Sequence, residues 1–330
     1  MGTSQFFIQE VETRIDRALS WDTTSSHSDM PTLAAAARHL CLAPGGKRAR
    51  PKLAYYFGLS VESDLDLLAD VAVTAEFIHG ASLLHDDVID HGILRRGLET
   101  VNVKWDNLTA VLAGDLLLAE SIKGLYRCPR SVAQEALDVV SQMTRATMLE
   151  AHIRGSTDTT LDQYRYIAKG KTATMFSWCG RSAAYLGSQP NEIEESLERF
   201  GIFGEHFGIA FQMADDLLDI QRLESGKTPF ADIRNKNPNY PLILAQQLDP
   251  SFQQKLNAAW QDDTLSESTI SSLGAHCIAT GAATQTLENI HNEIQLALQA
   301  LGPYKTRNGC KEIAAWAENL WKRFRHLEAV

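Results

Sequence analysis

Residues 67–90 read Leu-Leu-Ala-Asp-Val-Ala-Val-Thr-Ala-Glu-Phe-Ile-His-Gly-Ala-Ser-Leu-Leu-His-Asp-Asp-Val-Ile-Asp. The apolar or small residues Leu68, Val71, Ala72, Ala75, Ile78, Ser82 and Leu83 recur mostly every three or four positions, the period of a helix with a buried stripe. Residues 193–220 behave likewise without a proline, and a third helical pattern over 284–301 stops at Gly302-Pro303. Short alternating runs bounded by Asn-Gly or Asp-Gly are scarce. The expectation is an all-α fold. Loops are expected at Ala43-Pro44-Gly45-Gly46, at Gly155-Ser156-Thr157-Asp158 and over 225–241, with no linker, so residues 1–330 read as one domain.

The first two helical stretches end alike. Leu84-His85-Asp86-Asp87-Val88-Ile89-Asp90 is echoed by Met213-Ala214-Asp215-Asp216-Leu217-Leu218-Asp219. On a helix Asp86 and Asp90 lie one turn apart on one face, as do Asp215 and Asp219. Like charges so placed repel, and carboxylates near a helix C-terminus oppose the macrodipole. A solvated helix end is the plain structural alternative for one such motif. Two copies in apolar sequence weaken it. A cation would relieve both costs: carboxylate oxygens suit hard divalent ions, and Mg2+ shares its coordination with substrate phosphates. Two acidic helices facing across a cleft would hold a diphosphate through bridging metals and neutralise charge on a departing one.

The complementary cations are present. Gly45-Gly46-Lys47-Arg48-Ala49-Arg50-Pro51-Lys52 carries basic side chains and no acid, and Arg95-Arg96 follows the first aspartate motif. Arginine forks match phosphate oxygens, and lysine adds a point charge. A basic run alone is more often a solvated loop; beside two metal-type motifs it favours a second diphosphate site. The whole chain, with 31 basic and 41 acidic residues among 330, is acidic, which argues against nucleic-acid binding. Five scattered cysteines without a CxxC pair, and no basic-then-apolar N-terminus, point to a reducing, cytoplasmic setting. No uninterrupted apolar run reaches the roughly 18 residues of a membrane span.

At these residues the sequence resembles the trans-isoprenyl diphosphate synthases. Gly-Gly-Lys-Arg-Ala-Arg-Pro is similar to that family's basic loop. The run from Glu76-Phe77-Ile78-His79 to Asp90, then Leu94-Arg95-Arg96-Gly97 and Val101-Asn102, resembles its first aspartate-rich region. Gly114-Asp115, Lys171-Thr172-Ala173, Phe211-Gln212-Met213-Ala214-Asp215-Asp216 and Gly226-Lys227 resemble later landmarks. The resemblance implies a helical bundle of the isoprenoid synthase type, with a central cavity between aspartate-bearing helices. It also implies a homodimer, aided by N-terminal helices within about residues 1–40. Lys47, Arg50, His79 and Arg96 would hold isopentenyl diphosphate. Arg95, Lys171, Thr172, Gln212 and Lys227 would meet the allylic diphosphate. Three Mg2+ ions would sit on Asp86, Asp87, Asp90, Asp215, Asp216 and Asp219. Catalysis would rest on Asp86, Asp87, Asp90, Arg95, Lys171 and Asp215. The allylic carbon would lose diphosphate, the double bond of isopentenyl diphosphate would attack the resulting cation, and the released diphosphate would take the proton. Taken singly, His79 could be a core histidine, Thr172 a helix cap and Gln212 ordinary packing. Gly114-Asp115 reads as structural. A further phosphate-facing lysine common in the family falls on Asn237 here, with Lys236 one residue early.

Small Ala81 and Ser82, about one turn before Asp86, stand where short-chain members often carry a bulky aromatic residue. An open tunnel and a product of four or more isoprene units are therefore expected, long-chain ahead of geranylgeranyl diphosphate, with transient membrane contact at product release. A class I terpene cyclase would not need the Lys47 and Arg50 site or the second aspartate motif. A non-catalytic subunit of a heteromeric synthase would usually have lost catalytic aspartates.

Overall fold

Asp64 starts the helix that the sequence marks first. Its carboxylate accepts the main-chain N–H groups of Asp66 and Leu67 at 2.9 and 3.2 Å, satisfying donors that a helix start leaves open. The helix runs Leu65–Ile89, with Asp90 as its C-cap. The computed structural model describes residues 2–20, 30–221, 230–262 and 264–325, and nearly every element in it is helical. The expected 193–220 and 284–301 segments form Ile193–Gln221 and Ala282–Ala300, the second giving way to a 3-10 turn at Gly302–Thr306. Among the described residues the strands are Leu94–Arg95 and Leu98–Glu99, an antiparallel hairpin. The fold is all-α. Of the expected 225–241 loop, residues 225–229 lie outside the described residues; the remainder holds the short helix Ala231–Arg234.

The chain gathers into two compact units. The first comprises Met1–Asp138, Trp178–Phe200 and Thr306–Ile313; the second comprises Val139–Ser177, Gly201–Lys305 and Ala314–Val330. In the first unit the Leu65–Ile89 helix packs closely on Asn107–Gly124. Thr74 Oγ1 donates to Ser121 O at 3.0 Å between them, so the polar groups in this contact are paired. Leu68, Val71, Ala72, Ala75 and Phe77 are buried, and each large apolar side chain among them contributes about 1.5–3 kcal/mol. The helix is long and apolar enough to cross a membrane by length and composition, yet 72% of that window is buried within the protein. That is the environment of a core helix.

In the second unit Phe176, Phe203, Phe207, Phe211 and Trp316 form an aromatic cluster, with the Phe207 and Trp316 ring centroids 4.9 Å apart. Gly204 and Gly208 lie one turn apart on Ile193–Gln221, where a Cβ would run into the main chain of Ser177 and of Ala173. Backbones meet there directly, and this close approach carries the second aspartate motif toward the segment bearing Lys171. That segment starts at a capping box in which Thr160 and Gln163 satisfy each other's N–H groups. It then departs from α geometry: Lys169–Ala173 is a π-helical turn between Leu161–Ala168 and Thr174–Gly187.

Candidate active site

In the first unit the aspartate motif closes a helix and the next residues turn back over it. Asp86 and Asp87 are buried despite their charge. Arg95 forks onto Asp87, with Nη2 2.8 Å from Oδ1 and Nε at 3.1 and 3.2 Å from the two oxygens. The hairpin makes this reach possible. Arg96 and Gly97 form its two-residue loop with φ of 53° and 77°, the paired left-handed geometry that tight hairpins favour. Its entry is fixed because the Gly92 carbonyl accepts Thr100 Oγ1 at 2.7 Å and Asn102 Nδ2 at 3.1 Å.

The basic loop joins the same neighbourhood. Lys47 is exposed and Arg50 is buried at the start of the Ala49–Ser60 helix. A Cβ on Gly46 would lie 3.3 Å from Arg96 Nη1, so loop and hairpin touch. His79 sits on Leu65–Ile89; burial, and then the positive charges of Arg50, Arg95, Arg96 and Arg48, hold its imidazole well below the usual range. Burial followed by Arg95 likewise lowers Arg96. Like charges crowded this way call for an anion. Lys47, Arg50, His79, Arg95 and Arg96 thus share the first unit with Asp86, Asp87 and Asp90.

Ser82 and Ala81 are not equivalent. Ser82 shares a face with Asp86, is half-buried and donates to His79 O at 2.8 Å, whereas Ala81 is fully buried. Gly114, read as structural, has a specific reason: a Cβ there would run into the His85 imidazole.

In the second unit Asp216 is a hub. Thr172 Oγ1 donates to Gln212 Oε1 at 2.7 Å, Gln212 Nε2 donates to Asp216 Oδ1 at 2.9 Å, and the Tyr240 N–H donates to Asp216 Oδ2 at 3.2 Å. Burial, with the negative charge of Asp232, pushes the Asp216 carboxyl up from the usual carboxylate range. Asp219 accepts the N–H groups of Ala231 and Asp232 at 2.9 and 3.1 Å. Asp232 in turn accepts Asn237 Nδ2 and Asn239 Nδ2 at 3.1 and 2.8 Å. Lys171 pairs with Glu150. Lys236 gives its ammonium to the carbonyls of Trp260 and Asp262 at 2.7 and 2.8 Å, a structural use, with Asn237 serving Asp232. Lys227 lies outside the described residues.

The donor chemistry fits a hard divalent cation. Asp86 and Asp90 offer carboxylates one turn apart, and the second motif adds Asp215 beside Asp216 and Asp219. Among the described residues no three His, Cys, Asp or Glu side chains converge as a ready-made cage, so a metal would complete its shell with other oxygens. Sequence reasoning did not foresee the π turn, the Arg96-Gly97 hairpin, or the partners Glu76, Glu150 and Asp232. The glycines Gly170 and Gly97 were the readable traces of the first two.

The polyprenyl synthetase family model matches residues 30–276. The chain belongs to the polyprenyl synthetase family, and its enzyme class is trans-prenyltransferase. It is 35% identical over 226 residues to a prenyl transferase of Synechocystis sp., covering 67% of this chain and 69% of that one. It is 36% identical over 219 residues to an all-trans-nonaprenyl-diphosphate synthase (geranyl-diphosphate specific) of Rhodobacter capsulatus, covering 64% and 65%. With heptaprenyl diphosphate synthase component 2 of Bacillus subtilis it shares 29% identity over 299 residues, covering 90% and 84%. A polyprenyl synthase from Caulobacter crescentus, solved with calcium and isoprenyl diphosphate, superposes with a TM-score of 0.88 at 25% identity over 96% of this chain and 95% of that one.

Proposed function

We propose that this chain is a Mg2+-dependent synthase that condenses isopentenyl diphosphate with an allylic prenyl diphosphate, giving a trans product of four or more isoprene units. The observation that carries this reading lies in the first unit. One helix ends in Asp86, Asp87 and Asp90 and also bears His79, which Arg48, Arg50, Arg95 and Arg96 surround with positive charge. Carboxylates for a metal and cations for a phosphate stand together there.

Bound Mg2+ ions would supply Lewis-acid stabilisation of the leaving diphosphate. Asp86, Asp87, Asp90, Asp215, Asp216 and Asp219 would hold them. Arg95 and Lys171 would hold the allylic diphosphate and stabilise the charge it gains on leaving. Thr172 and Gln212 would orient Asp216 beside it. Lys47, Arg50, Arg96 and neutral His79 would fix the second diphosphate, so that its double bond lies against the allylic carbon. The protein contributes position and electrostatics rather than a nucleophile.

The small, half-buried Ser82 on the Asp86 face and the hepta- and nonaprenyl relatives support a long product; geranylgeranyl diphosphate is the second reading. Leu108, Val111 and Leu112 form an exposed apolar row at helical spacing on Asn107–Gly124, which supports a homodimer. The Bacillus subtilis relative, a heptaprenyl diphosphate synthase component 2, supports testing for a different partner chain as well. Free cysteines support a reducing, cytoplasmic compartment.

Asp86→Ala tests the reading. Turnover should fall by at least about a hundredfold, as when a group stabilising transition-state charge is lost, while the circular dichroism spectrum and melting temperature stay near native. An Asp86→Ala protein that unfolds, or one that keeps full activity, contradicts it.

A further inference from the structure

Neither Arg48 nor Glu76 is assigned a contact with either diphosphate, yet their pair is buried at the centre of the cation cluster. Arg48 is 7% exposed and Glu76 8%. Arg48 Nη1 donates to Glu76 Oε2 at 2.5 Å, Nε to Glu12 Oε1 at 3.1 Å, and Nη2 to the Cys41 carbonyl at 2.8 Å. One guanidinium thereby ties together the helices Gly2–Ala18, Met30–Cys41 and Leu65–Ile89. Its own main chain is left-handed, with φ 47°, and no side chain caps the helix that follows. A non-glycine residue holds that conformation only where its surroundings over-determine it. A buried ion pair is weak as a source of stability, because desolvation offsets most of the attraction. What it does supply here is position.

The pair is flanked by the candidate phosphate ligands Lys47, Arg50, Arg96 and His79. Gly46 and Lys47 precede Arg48 and Arg50 follows it, and Gly46 is wedged between Arg48 and Arg96, where a Cβ would lie 3.5 Å from Arg48 Cζ and 3.3 Å from Arg96 Nη1. Glu76 is one helical turn before His79.

We propose that Arg48 and Glu76 are positioning residues for the second diphosphate: their buried pair sets the Gly46-Lys47 loop and the Arg50 and Arg96 guanidinium groups to the spacing of one diphosphate, without touching it. This rests on the reading that Lys47, Arg50, His79 and Arg96 bind isopentenyl diphosphate.

The test uses Glu76→Gln, Arg48→Lys, and the apolar double variant Arg48→Met/Glu76→Leu, with Arg50→Met as reference. Melting curves are recorded with steady-state kinetics for both substrates, and calorimetric binding of isopentenyl diphosphate is measured. The double variant should melt near the native temperature. The KM for isopentenyl diphosphate should rise on the order of tenfold to a hundredfold, the scale of a misplacement of about 1 Å, with allylic KM and kcat nearly unchanged. Arg48→Lys should recover part of the affinity. If Arg50→Met raises that KM while folded pair variants do not, the positioning role is wrong and the functional reading stands. If Arg50→Met leaves it unchanged, the functional reading itself fails. Unfolding of every pair variant overturns the proposal in favour of a purely structural role.

Discussion

A histidine among four arginines would gain nothing by charging. Burial and the charges of Arg50, Arg95, Arg96 and Arg48 hold His79 well below the usual imidazole range, so under the proposed function it would approach the diphosphate as a neutral N–H donor. The same fact fixes a pH dependence. In the unfolded chain the imidazole takes up a proton near its ordinary pKa of about 6.5, while in the folded chain it does so only at lower pH. Between those values the unfolded state binds more protons, so stability rises with pH. The contribution is fully present above about pH 6.5 and is lost as pH falls from there through the depressed folded value. The melting temperature of the native protein should therefore drop more between about pH 7.5 and 5.5 than that of His79→Gln. Equal drops would remove the assigned environment of His79.

At the scale of elements, the π turn Lys169–Ala173 is the departure most closely tied to the site. An extra residue in the turn changes which way the side chains after it point, and such turns recur at functional sites. Here they aim Thr172 at Gln212 and Lys171 at Glu150. Gly170 allows the turn to sit against its neighbour: a Cβ there would lie 2.7 Å from the Ala146 Cβ and 3.1 Å from the Gln142 carbonyl. Gly170→Ala should cost about 1–3 kcal/mol in urea denaturation, the range of small-to-large insertions in packed sites, and should lower kcat/KM beyond what the lost folded fraction explains. A variant unchanged in both would refute the close-packing account. The helices over 67–90, 193–220 and 284–301 were legible because an apolar stripe at a period near 3.6 has few other solutions. The turn itself was not, because one glycine in a helical pattern is equally compatible with a regular helix. The Arg96-Gly97 hairpin was hidden for a related reason: arginine is an uncommon residue at φ 53°, and its side chain lies against Gly46, far away in sequence. The aspartate motifs and basic loop could be found from spacing alone. Glu76, Glu150 and Asp232, which pair with Arg48, Lys171 and Asn237, could not, since each looks in sequence like an ordinary helix charge.

At the scale of the whole molecule, membership of the polyprenyl synthetase family and the all-α fold are established. Each compact unit carries one aspartate motif with nearby cations: Lys47, Arg50, Arg95 and Arg96 in the first, Lys171 in the second. Under the proposed function it is the added cations Lys47, Arg50 and Arg96, not the second aspartate motif, that would separate a two-substrate synthase from an enzyme that only ionises one prenyl diphosphate. Under the same proposal, the half-buried Ser82 would bear on product length more than Ala81, which is already packed. The most direct measurement incubates the purified full chain with Mg2+, labelled isopentenyl diphosphate and a farnesyl primer, then separates the dephosphorylated products by chromatography. Label is expected in products longer than the primer, strictly dependent on the metal and extending past four isoprene units. A product that stops at four units would contradict the long-chain assignment, and no metal-dependent elongation at all would contradict the synthase itself.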